Sequence, residues 1–333
     1  MVDFSQQRHN SNQLPAGMNP AADLTDTKGE SWWLEYAFTG LVWGFALATA
    51  GVLFWMSWII FKDAYPAIAK FRLPFLLSVQ WNIGELQFGA LPFIYGTLVS
   101  SAIALLLAVP LGLSAAIVTS ENFLPIWVRS PLGFLIELIA AIPSVIIGLW
   151  GIFVLIPFLL PFQQWLFEHF GWFPLFSTEP FGPGMLPAGI LLSVMILPTI
   201  AAISREVLLA IPIDLRSASM SLGATRWETI CYLLVPSASS GIIGAIILAL
   251  GRALGETMAV TMVIGNSIQI NSSLLAPGYT IPAVLATQFR EALEPLHIGA
   301  LMYLALILFL ITLLVNFIAA VLIQLIGIKA TKN

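Results

Sequence analysis

Arg252 and Glu256 lie four residues apart in an apolar stretch, residues 238–264, that is long enough to cross a lipid bilayer. A charged side chain at the membrane centre costs about 2.5–3.5 kcal/mol on insertion scales, so it normally faces protein or water. The i, i+4 spacing puts both side chains on one helix face, where they could form a structural ion pair. Alternatively, Arg252 contacts an anion that crosses the membrane, and Glu256 pairs with Arg252 when the anion is absent. We favour the second interpretation, because ionisable residues within spans commonly serve function.

The composition is typical of an integral membrane protein. Apolar residues make up 59% of the chain, charged residues make up 9%, and the mean hydropathy is +0.95. A soluble domain would carry about 25% charged residues. The single cysteine, Cys231, excludes an internal disulfide, and the histidines lack the spacing of metal ligands, so we expect no cofactor. The basic patches typical of nucleic-acid binding are also absent from the sequence.

Six segments are long and apolar enough to span a membrane, since a transmembrane helix needs about 20 mostly apolar residues. They are residues 37–61, 92–118, 131–159, 185–210, 238–264 and 300–327. We therefore expect an all-α integral membrane protein with six transmembrane helices. Glu137 lies in the third segment, and Arg205 and Glu206 lie near the end of the fourth.

The segments outside the spans indicate the orientation. Residues 1–36 are polar and lack the apolar core of a signal peptide, so we expect a flexible cytoplasmic tail that ends in an interfacial segment. Residues 62–91 mix charged and aromatic side chains, which is typical of an outer interfacial segment. Residues 92–327 then form the membrane core, and residues 328–333 form a second cytoplasmic tail. The positive-inside rule favours this orientation. The basic residues of the inner segments are Arg8, Lys28, Arg129, Arg205, Arg216, Arg226, Lys329 and Lys332, and those of the outer segments are Lys62, Lys70, Arg72 and Arg290.

The loop between the fourth and fifth spans, residues 211–236, predicts two short helices joined at a sharp turn. Asp214 can cap the first helix, and Gly223 suits the left-handed position that follows a helix end. Thr225 and Glu228 have the spacing of a capping box, which predicts the start of the second helix. Such an elbow can fit a groove on another protein, although an ordered connecting loop without a partner fits these residues equally well.

This loop resembles the signature of ABC importer permeases, which reads Glu-Ala-Ala, three residues, glycine, nine residues and Ile-x-Leu-Pro. Gly223 is preceded at that interval by Ser217-Ala218-Ser219 and followed at that interval by Leu233-Leu234-Val235-Pro236. The chain departs from the signature in having serine at the first and third positions. The glycine, the proline and their spacing are the specific part of the match.

Further runs of residues narrow the resemblance. They are Tyr95-Gly96-Thr97-Leu98-Val99, Glu137-Leu138-Ile139-Ala140-Ala141-Ile142-Pro143-Ser144, Gly251-Arg252-Ala253-Leu254-Gly255-Glu256-Thr257-Met258-Ala259-Val260-Thr261 and Ile264-Gly265-Asn266. With the loop, they resemble the PstC family, the permease subunits of phosphate ABC importers. The resemblance covers about residues 88–327, and it implies the type I architecture of ABC importer permeases with a cytoplasmic coupling helix.

The resemblance implies a permease subunit of an ATP-driven inorganic phosphate importer in the bacterial inner membrane. The implied partners are a paralogous permease subunit (PstA-like), two ATPase subunits (PstB-like) and an extracytoplasmic phosphate-binding protein (PstS-like), with membrane lipid around the spans. The sequence has no Gly-Lys pair and therefore no P-loop, so ATPase activity is expected in a separate subunit and not in this chain. The residues expected to couple to the ATPase are Ser217, Ala218, Gly223, Thr225 and Glu228.

Phosphate chemistry accounts for an arginine at position 252. A guanidinium stays charged when it is partly desolvated, and it can bind two phosphate oxygens at once. Either Glu256 or Glu137 could accept a hydrogen bond from protonated phosphate, which sulfate cannot donate, although a helix-packing contact fits Glu137 equally well. The translocation path is therefore expected at Arg252, Glu256 and Glu137. A permease for molybdate or sulfate and a self-sufficient secondary transporter are the alternative interpretations.

Overall fold

The computed structural model describes residues 32–121 and 123–330, and these residues are mostly helical. Within them there is no β-strand, only isolated bridges between Asn82 and Gln87 and between Gly265 and Gly278. Residues 1–31 of the predicted N-terminal tail and residues 331–333 of the predicted C-terminal tail lie outside the described residues.

The helices of the described residues vary widely in length. The α-helices are α1 (Trp32–Phe71), α2 (Pro74–Leu77), α3 (Leu91–Ser120), α4 (Ile126–Ala140), α5 (Ser144–Trp150), α6 (Ile156–Phe170), α7 (Met185–Leu209), α8 (Ile213–Ser221), α9 (Arg226–Glu228), α10 (Val235–Ser237), α11 (Ser239–Gly255), α12 (Met258–Val263), α13 (Ile281–Gln288) and α14 (Pro295–Ala330). Stretches of π-helix, Gly151–Leu155 and Thr229–Leu234, connect α5 to α6 and α9 to α10, and Pro174–Phe176 forms a 3₁₀ turn.

Several helical segments of the described residues are long and apolar enough to cross a membrane. They are Glu35–Phe71, Leu91–Ser120, Ser144–Phe170, Met185–Leu209 and Pro295–Val321. A further span is the pair Arg226–Ser237 and Ser239–Gly255, whose helices are bent by 69°. The predicted all-α membrane fold is confirmed, and the structure has the predicted six spans when the bent pair counts as one.

The first and third spans differ from their predicted bounds. The sequence predicts a helix end at residue 61, but α1 continues to Phe71, because Lys62 ends the apolar run without removing any helical hydrogen bond. The predicted third span, residues 131–159, is wrong, since the helix breaks between Ala140 and Ser144 and the span is Ser144–Phe170. Pro143, with an extended ψ of 137°, causes this break, because proline disfavours a helical residue before it.

The predicted fifth span, residues 238–264, is also broken in the structure. Helix α11 ends at Gly255, and Glu256 has an extended backbone with φ −68° and ψ 125° before α12 begins at Met258. An apolar sequence predicts membrane residence but not helix continuity, because the hydropathy of the side chains is the same whether the backbone is helical or extended. The break lies at the position where the sequence places its pair of intramembrane charges.

Helices α3 and α7 make the most extensive helix–helix contact of the described residues, and α11 packs against both. Small residues allow this close approach, since Ala104, Ala108, Ala188 and Ala249 are fully buried at the junction. In a bilayer, helix association depends on close packing, because lipid tails are as apolar as the side chains. This junction holds α11, which carries Arg252, against α7.

The segment that follows α1 also packs against later helices. The Phe75 ring stacks on the Tyr303 ring of α14 with centroids 4.5 Å apart, and Trp81 Nε1 donates a hydrogen bond to Gln288 Oε1 of α13 (2.9 Å). At the start of α3, the buried Thr97 Oγ1 accepts a hydrogen bond from the backbone N–H of Ile281 (2.9 Å). These contacts join α3, α13 and α14 on one side of the molecule.

Candidate functional site

Arg252 lies in the last turn of α11, where the helix packs against both α7 and α14. These three helices line an open cleft with a volume of about 660 Å³. The lining residues are Thr199, Gly244, Ile247, Leu248, Gly251, Arg252 and Asn316. Within the described part of the chain, no hydrogen bond or ion pair joins the Arg252 guanidinium to another residue. The guanidinium is therefore available to an anion that enters the cleft.

The sequence of α11 explains why the cleft is open and why it tolerates a cation. Gly244, Leu248 and Arg252 follow the helical period and so lie on one face. A Cβ added to Gly244 or Gly251 would meet no atom within 4 Å, so both glycines leave space in front of the helix. The last turn of a helix carries a partial negative charge, which favours a basic side chain there.

Glu256 follows directly after the helix that carries Arg252 and is not part of it. Because α11 ends at Gly255, the expected placement of both charges on one face of a continuous helix is wrong, and no ion pair between them forms within the described residues. Glu256 Oε1 instead accepts a hydrogen bond from the backbone N–H of Ala259 (3.4 Å) at the start of α12. The carboxylate thus stabilises the helix that follows the break, and its contact with a transported anion stays a prediction.

Glu137 lies on α4, outside the spans, and it does not line the Arg252 cleft. Its Oε1 is 3.9 Å from Nη1 of Arg205 on α7, and the Glu137 side chain is 64% exposed. The pair borders a separate pocket of about 280 Å³ that Arg129 and Ser130 also line. The structure therefore separates Glu137 from Arg252, and its place on the translocation path stays a prediction.

The predicted elbow after α7 is present in the structure. Gly223 has the left-handed φ of +92°, and its N–H donates to the carbonyl of Met220 (3.0 Å), while the N–H of Ala224 donates to the carbonyl of Ser219 (3.3 Å). These two hydrogen bonds form the Schellman motif that ends α8. The left-handed glycine predicted after the helix is confirmed. Asp214 lies within the first turn of α8 and makes no capping hydrogen bond, so its predicted cap is wrong.

The second half of the elbow begins with the predicted capping box. The backbone N–H of Thr225 donates to Glu228 Oε2 (2.7 Å), and the N–H of Glu228 donates to Thr225 Oγ1 (3.3 Å). This confirms the predicted start of the second helix. The elbow exposes apolar side chains, with Leu222 90%, Ile213 75% and Trp227 62% exposed. Exposed apolar surface on a rigid element is typical of a protein-binding site.

Arg216 of α8 holds the elbow against the spans. Its Nη2 donates to the carbonyl of Leu208 in α7 (2.7 Å), and its Nε and Nη2 each donate to Glu121 Oε1 (3.2 Å) just after α3. The Arg216 and Glu121 side chains are 14% and 18% exposed. From the sequence Arg216 is recognisable only as an inner basic residue, because a partner 95 positions away leaves no local signal.

Comparison with known proteins assigns the family. Residues 108–328 match the family described as binding-protein-dependent transport system inner membrane component. The chain is 44% identical over 265 residues to the phosphate transport system permease protein PstC of Mesorhizobium japonicum, covering 78% of this chain and 81% of the relative. It is 40% identical over 302 residues to the PstC of Xylella fastidiosa, covering 89% and 91%. The chain belongs to the PstC family.

A solved structure shares the fold of this PstC-family chain. It is the crystal structure of a bacterial alginate ABC transporter in complex with an alginate pentasaccharide-bound periplasmic protein. The TM-score is 0.57 at 15% identity, covering 89% of this chain and 99% of that chain. At this identity the likeness shows the fold alone, which is that of an ABC importer permease.

Proposed function

We propose that the chain is the transmembrane permease subunit of an ATP-driven inorganic phosphate importer. The observation that carries the proposal is the Arg252 guanidinium, which faces an open cleft within a span and has no partner in the described part of the chain. A guanidinium can hold two phosphate oxygens, and it keeps its charge when water is partly removed. The phosphate transport relatives support phosphate as the anion.

A second permease subunit would complete the path. The cleft is open at the surface of this chain, and a charged group that faces lipid directly is costly. A paralogous, PstA-like subunit that packs over α7, α11 and α14 would close the cleft on its open side. We place the complex in the bacterial inner membrane with both termini of this chain in the cytoplasm.

The elbow is the proposed contact with the ATPase subunits. Ser217 and Ala218 are exposed on α8, and Gly223, Thr225 and Glu228 set the angle at which α9 follows. Two PstB-like subunits would bind this surface and hydrolyse ATP. Arg216 would transmit their movement, because its hydrogen bond to Leu208 reaches the helix that also carries Thr199 at the cleft. A PstS-like binding protein would deliver phosphate from the opposite side.

The proposal is tested by phosphate uptake into proteoliposomes that contain this chain, its paralogous subunit, the ATPase and the binding protein. Arg252→Gln should abolish uptake while the complex still assembles, and Arg252→Lys should restore only part of it, because an ammonium group lacks the planar fork. Arg290→Gln, an exposed arginine in the turn after α13, is the matched control and should transport normally. Wild-type uptake by an assembled Arg252→Gln complex would contradict the proposal.

Uptake into the same proteoliposomes also distinguishes between the alternative substrates and between the alternative transport mechanisms. Excess unlabelled phosphate should suppress uptake of labelled phosphate, whereas excess sulfate or molybdate should not. Stronger suppression by sulfate or molybdate would indicate a permease for another oxyanion. Uptake by vesicles that lack the ATPase subunits would indicate a secondary transporter.

A further inference from the structure

Asn316 is a polar residue of α14 that the sequence analysis does not single out. It lies in the span Pro295–Val321, whose mean hydropathy is 2.9, and its side chain lines the same cleft as Arg252. The other polar side chains described in this span have hydrogen bonds, since Thr312 Oγ1 donates to the Phe309 carbonyl (2.8 Å) and Tyr303 donates to the Arg72 carbonyl (3.4 Å). His297 contacts Gln288 Oε1 (3.4 Å). Within the described residues, the Asn316 amide has no such partner.

Thr199 of α7 presents a comparable group on the opposite wall of the cleft. Several hydroxyls of other helical residues donate to carbonyls in their own helix, as Thr97 does to Phe93 (2.7 Å) and Ser100 does to Gly96 (2.7 Å), whereas the buried hydroxyls of Ser101 and Ser204 have no partner within the described residues. No hydrogen bond of this kind forms at Thr199 within the described residues, although the residue lines the cleft. A free amide and a free hydroxyl inside spans are costly unless a ligand or another subunit satisfies them.

We propose that Asn316 and Thr199 complete the oxyanion site around Arg252, and that the Asn316 amide selects oxyanions that carry a proton. This inference rests on the proposed function of Arg252. Arginine supplies donors only, whereas an amide supplies both donors and an acceptor oxygen. Phosphate near neutral pH retains a P–OH group, which can donate to Asn316 Oδ1 while the anion's other oxygens accept from Arg252 and Thr199.

The position of the carboxylates assigns this acceptor role to Asn316. Glu256 is directed to the backbone of α12 and Glu137 is paired with Arg205 outside the cleft, so neither carboxylate lines the cleft. A neutral amide oxygen also accepts a hydrogen bond from the P–OH group without repelling the charge of the anion, as a carboxylate would. The proposed selectivity requires that Oδ1, and not the NH2 group, of Asn316 faces the anion. In that orientation an oxyanion without a proton leaves the amide oxygen unpaired, and this penalty provides the selectivity.

The test is direct binding of small anions to the purified complex of this chain with its paralogous and ATPase subunits, without the binding protein. The probes are inorganic phosphate, sulfate and monofluorophosphate, whose dianion resembles hydrogen phosphate but has no hydroxyl proton. The wild-type complex should prefer phosphate over both. Asn316→Leu should weaken phosphate binding about tenfold and leave sulfate and monofluorophosphate unchanged. Asn316→Gln should keep part of the preference, and Thr199→Val should weaken all three anions.

Matched controls distinguish this inference from the proposed function. Thr312→Val, one turn before Asn316, should change neither affinity nor preference, because the Thr312 hydroxyl already bonds within its helix. Arg252→Gln should remove binding of all three anions, and binding that survives Arg252→Gln would contradict the proposed function itself. If Arg252→Gln loses binding but Asn316→Leu keeps the wild-type preference, the role of Asn316 is wrong while the proposed function stands. If Asn316→Leu reduced assembly of the complex but left its preference for phosphate unchanged, the role of Asn316 would likewise be wrong. That result would indicate a contact between Asn316 and the paralogous subunit.

Discussion

At the scale of single residues, the structure distinguishes charges that are free from charges that already have partners. Arg216 and Arg205 have carboxylate partners, while Arg252 faces a cleft without one in the described part of the chain. Glu256 does not contact Arg252 as expected but accepts a hydrogen bond from the backbone N–H of Ala259. Sequence spacing alone does not distinguish Arg252 from Glu256, whereas the end of α11 between them gives the two side chains different surroundings.

The first prediction concerns Glu256. Glu256→Ala should remove the acceptor at the start of α12 and destabilise the protein by about 0.5–2 kcal/mol, as loss of a helix cap does. Glu256→Gln keeps an acceptor oxygen and should be close to wild type. The measurement is the thermal unfolding midpoint of each variant in detergent. The resting ion pair would be favoured instead if Glu256→Gln were strongly destabilised and the added change Arg252→Gln restored its stability.

At the scale of structural elements, local hydrogen bonds determine the conformation of the elbow, and close packing determines how the helices contact one another. The Schellman motif at Gly223 and the capping box from Thr225 to Glu228 each lie within a few residues, so the sequence predicts both. Junctions between helices follow from small residues that allow close approach. A Cβ added to Gly241 of α11 would be 2.6 Å from both methyl groups of Val207 in α7.

We expect Gly223→Val to uncouple the complex from its ATPase. Valine strongly resists the left-handed backbone that Gly223 adopts at φ +92°, so the end of α8 would change direction. Gly223→Asn is the matched control, because asparagine tolerates this conformation. The measurements are ATPase co-purification and transport-stimulated hydrolysis. Normal values for Gly223→Val would show that the elbow is not the coupling element.

At the α7–α11 junction, Gly241→Ala should destabilise the protein by about 1–3 kcal/mol, as overpacking of a close helix contact does. Val207→Ala should recover part of this loss, because it removes the methyl groups that the new Cβ would meet. Thermal unfolding of both variants in detergent is the measurement. An unchanged midpoint in Gly241→Ala would mean that α7 and α11 can separate without cost.

At the scale of the whole molecule, α7 connects the two candidate sites. Thr199 of α7 lines the cleft, and the Leu208 carbonyl near the end of α7 accepts a hydrogen bond from Arg216 of the elbow. Arg216 also contacts Glu121 after α3, and α3 packs along α7. Movement of α8 can therefore reach the cleft through packed helices rather than through a flexible loop.

Arg216→Ala should consequently leave the ATPase bound but reduce phosphate uptake per ATP hydrolysed. The apolar surface of the elbow, which is the proposed ATPase contact, is unchanged, while the hydrogen bond to Leu208 of α7 is lost and Glu121 is left without its partner. The measurements are ATPase co-purification and the ratio of uptake to hydrolysis in proteoliposomes. Arg226→Ala serves as a control for loss of a basic side chain from the same elbow. Wild-type ratios in Arg216→Ala would contradict transmission through this residue.

The membrane fold, the elbow and Arg252, on which the proposed function depends, were all predictable from the amino-acid sequence. Each of these depends on short-range physics. An apolar run partitions into lipid whatever its position in the chain. A left-handed glycine and a capping box each depend on a few neighbouring residues. A charged residue within an apolar run can be recognised from the sequence without knowledge of its contacts. The resemblance to the PstC family came from the same local runs.

Which polar groups lie near one another became clear only from the packing of the helices. Thr199, Arg252 and Asn316 come from three helices and share a cleft, and Arg216 reaches Glu121 across 95 positions of the chain. The two predicted carboxylates have other partners, since Glu137 pairs with Arg205 and Glu256 with the backbone of Ala259, and neither lines the cleft of Arg252. These outcomes depend on packing between helices that are distant in sequence. Apolar helices of similar composition could pack in many arrangements, and the composition alone does not predict which close contacts form.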